Sequence, residues 1–350
     1  MQFLEQLIGT QSGLVIAFIA TAALVVVAGI KLSMYGDALG DRTGLGNGLV
    51  GLIFLAGVTS LPELVVSLTS VLNATTLADG ADLATGNMLG SNVFNLLILA
   101  FMALFFTSKF KPQDMKNPHN DSAIYGLIML GIFSASYYWA PRGEWMIPGL
   151  DCSPLVIALP LTYLGILVRE HKQHKDGGEE EEAEHLPEED KLANMPAARF
   201  YSILLFLCGL IIGGGVILSI LGSRMALPPE QGGFGLEASL IGTIFLAIST
   251  SLPELVISFA SIRLGFLDMA VGNVLGSNMF NLLIIFVADV AMRKASLLEN
   301  ASSKHWTSVA LIFALTIIGS ALLRTKTKAA ALGTSILMIG LYAVAMTFFM

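Results

Sequence analysis

The sequence predicts an all-α polytopic membrane protein with ten transmembrane helices, arranged as two inverted five-helix repeats. The chain has 350 residues, of which 55% are hydrophobic and 13% charged, whereas about a quarter of the residues of a soluble protein are charged. It contains ten apolar windows of spanning length, since roughly 20 apolar residues cross a bilayer as a helix. Two sequence motifs also occur once in each half of the chain.

The ten windows are continuous apolar stretches, and the fifth, with 17 residues, is the shortest. They do not alternate over about ten residues as the strands of a transmembrane β-barrel do. The leader MQFLEQLIGTQSG has no Lys or Arg, so we expect the first window to be a retained helix and not a cleaved signal peptide. The windows lie at residues 12–34, 48–72, 84–106, 121–140, 153–169, 198–221, 236–262, 269–290, 305–323 and 328–348.

The distribution of basic residues predicts the orientation. With ten spans, both termini and alternate loops lie on one side of the membrane. That side holds 5 of the 19 Lys and Arg residues, and the opposite side holds the other 14. Because basic loops stay in the cytoplasm, we expect both termini outside, in a plasma (inner) membrane.

A polar linker divides the chain into a first five-helix repeat (1–169), a cytoplasmic loop (170–197) and a second five-helix repeat (198–350). An odd number of spans in each half forces the halves into opposite orientations, as in many transporters. Nine of the fifteen residues at 176–190 are acidic, which predicts a solvated, flexible linker. A calcium-sensing role stays open, although the ordered ligand spacing of a calcium loop is absent. Cys152 and Cys208 fit neither a disulfide framework nor a metal site.

Two motifs are duplicated. TSLPELV occurs without change at Thr59–Val65 and Thr250–Val256, and the segment Gly86–Leu99 matches Gly272–Ile285 at 11 of 14 positions. The offsets are 191 and 186 residues, so the first half has five additional residues within NATTLADGADLAT at 73–85. We expect these residues in an outer loop, where additional length costs little. The motif glycines are expected to let helices approach closely; they are Gly86, Gly90, Gly272 and Gly276.

The motifs predict polar stripes on four helices, because residues three and four apart share a helix face. Pro62 and Pro253 have no N–H, so they should break the turn before each glutamate and free the carbonyls of Val58 and Ser249. The stripes are Ala56, Thr59, Ser60 and Glu63; Asn87, Ser91 and Asn95; Ala247, Thr250, Ser251 and Glu254; and Asn273, Ser277 and Asn281.

The duplicated glutamates indicate a cation site. A buried acid at mid-helix costs roughly 2.5–3.5 kcal/mol, and two nearby anions also repel each other, so a bound cation would relieve both costs. The candidate ligands are all oxygens, which suit Ca²⁺ or Na⁺, suit Mg²⁺ less, and do not suit zinc or copper. We expect the ion at Glu63, Glu254, Thr59 and Thr250. The alternative is that the Ser, Thr and Asn residues bridge helices by hydrogen bonds.

On these motifs the chain resembles the cation/calcium exchanger superfamily, in particular its prokaryotic sodium/calcium exchangers, over residues 56–99 and 247–286. The resemblance implies that the first and sixth helices slide across the core to give alternating access. Many members of the superfamily have an Asp at one of the two positions that match Asn95 and Asn281. The Asn at both positions in this chain implies exchange without potassium coupling. The resemblance implies central ligands Glu63 and Glu254, further side-chain ligands Ser91, Ser277, Asn95, Asn281, Ser60 and Ser251, and mostly backbone ligands Thr59, Thr250, Ala56 and Ala247.

The predicted function is secondary active antiport of Na⁺ against Ca²⁺ by alternating access, with no cofactor and no enzyme chemistry. The expected partners are the lipid bilayer and the two ions, and no nucleic acid. Two alternatives stay open, namely a Ca²⁺/H⁺ antiporter, since a buried glutamate can carry a proton, and a cation channel. An intramembrane enzyme is disfavoured because the stripes contain no histidine-rich metal site.

Overall fold

The computed structural model describes residues 10–115, 120–140, 147, 154–176, 192, 194–235, 249–293 and 295–347. The regular secondary structure of these residues is helical. Among them are ten helices of 13 residues or more: α1 (Gln11–Thr43), α2 (Gly46–Asn73), α3 (Leu77–Phe105), α4 (Asn120–Trp139), α5 (Pro154–Asp176), α6 (Ala197–Ala226), α7 (Leu252–Leu264), α8 (Leu267–Met292), α9 (His305–Leu322) and α10 (Lys328–Met346).

Seven of these described helices are long and apolar enough to cross a membrane, namely α1, α2, α3, α6, α8, α9 and α10. The chain is therefore a multi-pass membrane protein. The helix α7 covers only the second part of the predicted window at 236–262, because residues 236–248 lie outside the described part. Ten spans in two inverted repeats stay a prediction.

Side-chain caps define where several helices begin. Thr10 accepts a hydrogen bond from the Gly13 N–H at 3.1 Å at the start of α1, and Thr76 accepts one from the Asp79 N–H at 3.1 Å at the start of α3. Such caps satisfy backbone donors that have no partner within the helix. The other end of α1 is closed by Gly44, whose φ of 65° suits a residue without a side chain.

The five additional residues of the first half are mostly helical, so the prediction of an outer loop was wrong. Helices α2 and α7 both end ten residues after their glutamates, whereas α3 begins nine residues before Gly86 and α8 begins five residues before Gly272. Four of the five additional residues therefore lengthen α3 by about one turn. The cap at Thr76 provides the physical reason for this early start.

The centre of the bundle is formed by α2, α3 and α8, which pack against one another, while α7 packs on α8 and α1. In the apolar stretch of α3, 78% of the residues are buried, against 22% in α10. Large apolar side chains on the outer helices are exposed, as a bilayer-facing surface requires. They include Ile16, Ile19, Leu161, Leu205, Phe206, Ile336 and Leu337.

Two glycines bring α8 into backbone contact with α2. A Cβ atom added at Gly276 would lie 2.2 Å from the Leu52 carbonyl oxygen, and one at Gly272 would lie 2.6 Å from the Gly48 carbonyl oxygen. Any side chain at these positions would push the helices apart, so the predicted close approach is confirmed at this crossing.

Contacts between helix ends join segments that were predicted to share a side of the membrane. Gln11, at the start of α1, donates to the Gly233 carbonyl at 2.5 Å, and both were predicted outside. The Lys109 ammonium donates to the Arg263 carbonyl at the end of α7, and both were predicted inside. These contacts agree with the predicted alternation of the loops, without showing which side is the cytoplasm.

Part of the predicted linker is helical. Helix α5 extends seven residues past the predicted window end and stops at Asp176. The acidic residues that follow, and Cys152, lie outside the described residues. At the far end of the linker, Arg42 of α1 donates to the carbonyls of Leu192 and Met195, each at 2.5 Å. The guanidinium also lies 4.1 Å from the centre of the Phe200 ring, so this end of the linker is held against α1.

Candidate cation-binding site

The predicted site residues in the described part of the chain lie on α2, α3 and α8 and in or just before the first turn of α7. Ala247 lies outside the described residues. The other predicted site residues are all buried: Ala56, Thr59, Ser60 and Glu63 on α2; Ser91 and Asn95 on α3; Thr250, Ser251 and Glu254 at the start of α7; and Ser277 and Asn281 on α8.

The two prolines act differently on their helices. Pro253 lies in the first turn of α7, which begins at Leu252 after Ser251 leaves the helical region with ψ 19°, so the predicted interruption is confirmed there. Pro62 lies inside a continuous α-helical stretch, so the predicted break at this position was wrong. The irregular turns of α2 lie upstream, where Val50–Leu55 is a π-helix.

The ring of Pro62 packs against a glycine of α6. A Cβ atom at Gly215 of α6 would lie 2.5 Å from Pro62 Cγ and 3.1 Å from Pro253 Cγ. A glycine on the neighbouring helix therefore makes room for both proline rings. Prolines are tolerated in transmembrane helices where the surrounding helices support the altered turn.

The carboxylates of Glu63 and Glu254 lie close enough to repel each other, although they come from opposite halves of the chain. The Glu63 carboxylate lies beside the Ser91 hydroxyl, and that of Glu254 lies beside the hydroxyls of Thr59 and Ser60. Each glutamate side chain is 1% exposed. None of the four carboxylate oxygens has a well-formed hydrogen bond within the described part of the chain. Burial of two such anions is costly unless a positive charge joins them.

Thr59 links the first half of the site to the second. Its hydroxyl lies 3.2 Å from the Ser277 hydroxyl, 3.4 Å from Asn273 Oδ1 and 3.3 Å from the Ala56 carbonyl oxygen. A hydroxyl has one proton to donate, so these neighbours compete for it. The side chain of Thr59, and not only its carbonyl, therefore borders the site.

Asn87 joins α3 to α2 beside the first glutamate. Its Nδ2 donates to the backbone carbonyl of Glu63 at 3.3 Å and to the Ser67 hydroxyl at 3.0 Å. The amide thus holds the backbone from which the Glu63 carboxylate projects. Asn87 has a helix-bridging role here, which is the alternative that the sequence left open for such residues.

The second half contains the equivalent contacts. Asn273 Nδ2 donates to the backbone carbonyl of Glu254 at 3.4 Å and to the Ser258 hydroxyl at 2.9 Å. We call each set of two contacts an amide clamp. The sequence interpretation missed Ser67 and Ser258, although a detectable signal existed: each follows its glutamate by four residues and so shares its helix face.

Several buried oxygens of the site have no hydrogen-bond partner among the described residues. All come from carboxylate, amide or hydroxyl groups, which are the ligands that Ca²⁺ and Na⁺ prefer. Buried polar atoms are normally paired, so a group of unpaired oxygens on facing helices fits a hard cation. They belong to Ser60, Glu63, Ser91, Asn95, Ser251, Glu254 and Asn281.

Comparison with known proteins gives a family match in both halves. The family model described as sodium/calcium exchanger protein matches residues 13–163 and again residues 200–350. The inner membrane protein YrbG of Escherichia coli is 25% identical over 298 residues, which cover 83% of this chain and 85% of that protein. The sodium/calcium exchanger MaX1 of Methanosarcina acetivorans is 45% identical over 51 residues, or 15% of each chain.

A solved structure has the same overall fold. The sodium-calcium exchanger NCX_Mj, soaked with 2.5 mM Na⁺ and 1 mM Sr²⁺, superposes with a TM-score of 0.67 over 95% of this chain and 97% of its own. The sequence identity is 19%, so this likeness concerns the fold alone.

Proposed function

Because this chain belongs to the sodium/calcium exchanger protein family, whose model matches both of its halves, we propose that it is a secondary active antiporter exchanging Na⁺ for Ca²⁺. Exchange proceeds by alternating access to one oxygen-lined site near the middle of the membrane. The main supporting observation is that Glu63 and Glu254, one from each half, are buried close enough to repel each other, with no well-formed hydrogen bond to their carboxylates among the described residues.

The charge of the site provides the coupling. Two carboxylates balance one Ca²⁺ or two Na⁺, so the two ions compete for the same ligands. A carrier without a bound ion would have two adjacent buried anions during its conformational change, which is unfavourable. Loaded carriers therefore change conformation more readily than empty ones, and the inward Na⁺ gradient expels Ca²⁺.

The proposal includes the topology of ten spans in two inverted repeats, with both termini outside and the linker in the cytoplasm. The contacts Gln11–Gly233 and Lys109–Arg263 support the alternation of sides. The excess of basic residues supports the orientation. The relative YrbG is named an inner membrane protein, and we propose the same membrane for this chain.

The test is uptake of radiolabelled Ca²⁺ into proteoliposomes loaded with Na⁺ and diluted into Na⁺-free buffer. We expect uptake that requires the outward Na⁺ gradient and that stops when a Na⁺ ionophore dissipates it. Liposomes loaded with K⁺ should show no uptake above that of protein-free liposomes.

The same preparation distinguishes the two alternatives. Uptake driven by a pH jump without Na⁺ would replace the proposal by Ca²⁺/H⁺ antiport. Uptake driven by membrane voltage alone, without any counter-ion gradient, would indicate a channel. Either result would contradict Na⁺ coupling, although the first would keep the two glutamates at the centre of the mechanism.

A further inference from the structure

We propose that Asn92 of α3 is a positioning residue for the candidate ligand Asn281 of α8. It fixes the direction of the Asn281 amide so that the oxygen, and not the nitrogen, is available to the cation. This inference rests on the proposed function, because it takes Asn281 to be a ligand. Asn92 lies in the duplicated motif but outside the polar stripe, so sequence spacing alone gives it no role.

The orientation of Asn92 follows from a group that can only accept hydrogen bonds. Asn92 Nδ2 lies 3.3 Å from the backbone carbonyl oxygen of Asn278, so the nitrogen must face that carbonyl. The oxygen of the Asn92 amide then points to the opposite side. There it lies 3.0 Å from Asn281 Nδ2, which donates to it.

The consequence is a directed ligand. With its nitrogen held by Asn92, the Asn281 side chain has its oxygen free, and that oxygen is buried without a hydrogen-bond partner among the described residues. Asn281 is 0% exposed and Asn92 is 1% exposed, so both side chains are shielded from bulk solvent. An amide that could turn over would present its nitrogen, which repels a cation, for part of the time.

The equivalent pair in the other half is not joined in this way. The repeat offset of 186 residues relates Asn92 to Asn278 and Asn281 to Asn95. Neither amide atom of Asn95, nor Asn278 Oδ1, has a partner in the described part of the chain. Asn278 and Asn92 both border one small cavity of about 20 Å³, next to Ser122 of α4 and Thr316 of α9. Asn278 is therefore a matched control for Asn92.

The test measures equilibrium binding of radiolabelled Ca²⁺ to purified full-length protein, together with exchange in proteoliposomes. We expect Asn92→Ala to raise the half-saturating Ca²⁺ concentration about tenfold, as loss of a contacting partner can. The maximal exchange rate at saturating Ca²⁺ should stay within about twofold. Asn278→Ala should change the half-saturating concentration less than about threefold. If Asn92→Ala does not fold, Asn92→Ser replaces it, with an intermediate loss because its shorter side chain cannot reach both partners.

A double variant gives the decisive comparison. If Asn92 acts through Asn281, adding Asn92→Ala to Asn281→Ala should weaken Ca²⁺ binding no further than Asn281→Ala alone. The inference would be overturned if the two losses of Ca²⁺ affinity multiply in the double variant. It would also be overturned if Asn92→Ala and Asn278→Ala weaken Ca²⁺ binding equally. A wild-type protein that binds Ca²⁺ but shows no Na⁺-driven uptake would instead refute the proposed exchange and leave this inference standing.

Discussion

The two halves of the molecule agree in the contacts made within each half and differ in the contacts made between them. The amide clamp has the same donor and acceptor types in both halves, and its amide-to-hydroxyl distance is 3.0 Å for Asn87–Ser67 and 2.9 Å for Asn273–Ser258. Such contacts are determined by side chains at fixed spacing on two successive helices. The duplicated motif therefore reproduces them wherever it occurs.

The contacts of α1 and α6 differ between the halves. Gly215 of α6 meets both Pro62 and Pro253, whereas Gly29 of α1, which precedes it by 186 residues, meets Val256 of α7. These contacts depend on how one half lies against the other. Transporters built from repeats change access by moving one group of helices against another. The resemblance implies that α1 and α6 slide across the core, so we expect their contacts with the other helices, including those of Gly29 and Gly215, to change during transport.

The largest effect is expected from the two glutamates, which should be equally necessary although their helices differ. Glu63→Gln and Glu254→Gln each keep the side-chain shape but remove one of two charges. Each should lower Ca²⁺ uptake by about a hundredfold or more, because loss of one partner from a buried charge group costs about 3–5 kcal/mol. The measurement is Na⁺-driven uptake in proteoliposomes.

The exposed Glu230 provides the control, and Glu230→Gln should keep wild-type uptake. Full exchange by both glutamate variants would show that the proposed site is wrong. Full exchange by one of them would show that the halves contribute unequally to binding.

The next largest effect is expected at the crossing of α2 and α8, which is a contact between halves. Gly276→Ala should lower the free energy of unfolding by about 1–3 kcal/mol, because the new Cβ would overlap the Leu52 carbonyl. The measurement is the midpoint of thermal unfolding in detergent. Gly333→Ala, in the exposed part of α10 with open space around it, should leave the midpoint nearly unchanged. Equal midpoints for the two variants would contradict the tight crossing.

The sequence was sufficient for features that depend on local spacing. Continuous apolar windows predicted both ends of α2, α4, α8, α9 and α10 to within about two residues, whereas α1, α3, α5 and α6 extend five to nine residues past one window end. The duplicated motif predicted that Glu63 and Glu254 would be buried. The apolar window placed the start of α3 too late, because a window does not register a helix cap. Thr76 and Asp79 nevertheless have the three-residue spacing of a capping pair. Ser67 and Ser258 were also detectable, since they extend the stripe of each glutamate.

Features that depend on the neighbouring half could not be predicted. The contact of Pro62 with Gly215 joins residues that are distant in sequence, and Gly215 has no local mark of that role. The role of Asn92 likewise needs the backbone carbonyl of Asn278 beside it. The sequence of one helix shows only the intrinsic conformational and hydrogen-bonding preferences of its proline or asparagine. Its partners become known once the two halves are placed together.

The smallest effect tests whether the clamps are equivalent. Ser67→Ala and Ser258→Ala each remove one hydrogen bond from a clamp amide, and hydrogen bonds between side chains in membrane proteins contribute about 0.6 kcal/mol on average. We expect two small, equal decreases in the thermal midpoint, which add in the double variant because the serines lie in separate clamps.

Ser202→Ala is the control, since that exposed serine donates to the Ala198 carbonyl of its own helix. It should leave the midpoint at the wild-type value. A clearly larger loss from one clamp than from the other would show that the two halves differ even in their internal contacts. The duplicated sequence would then no longer explain the local structure around each glutamate. Equal losses would instead show that the two clamps are equivalent although the helices around them differ.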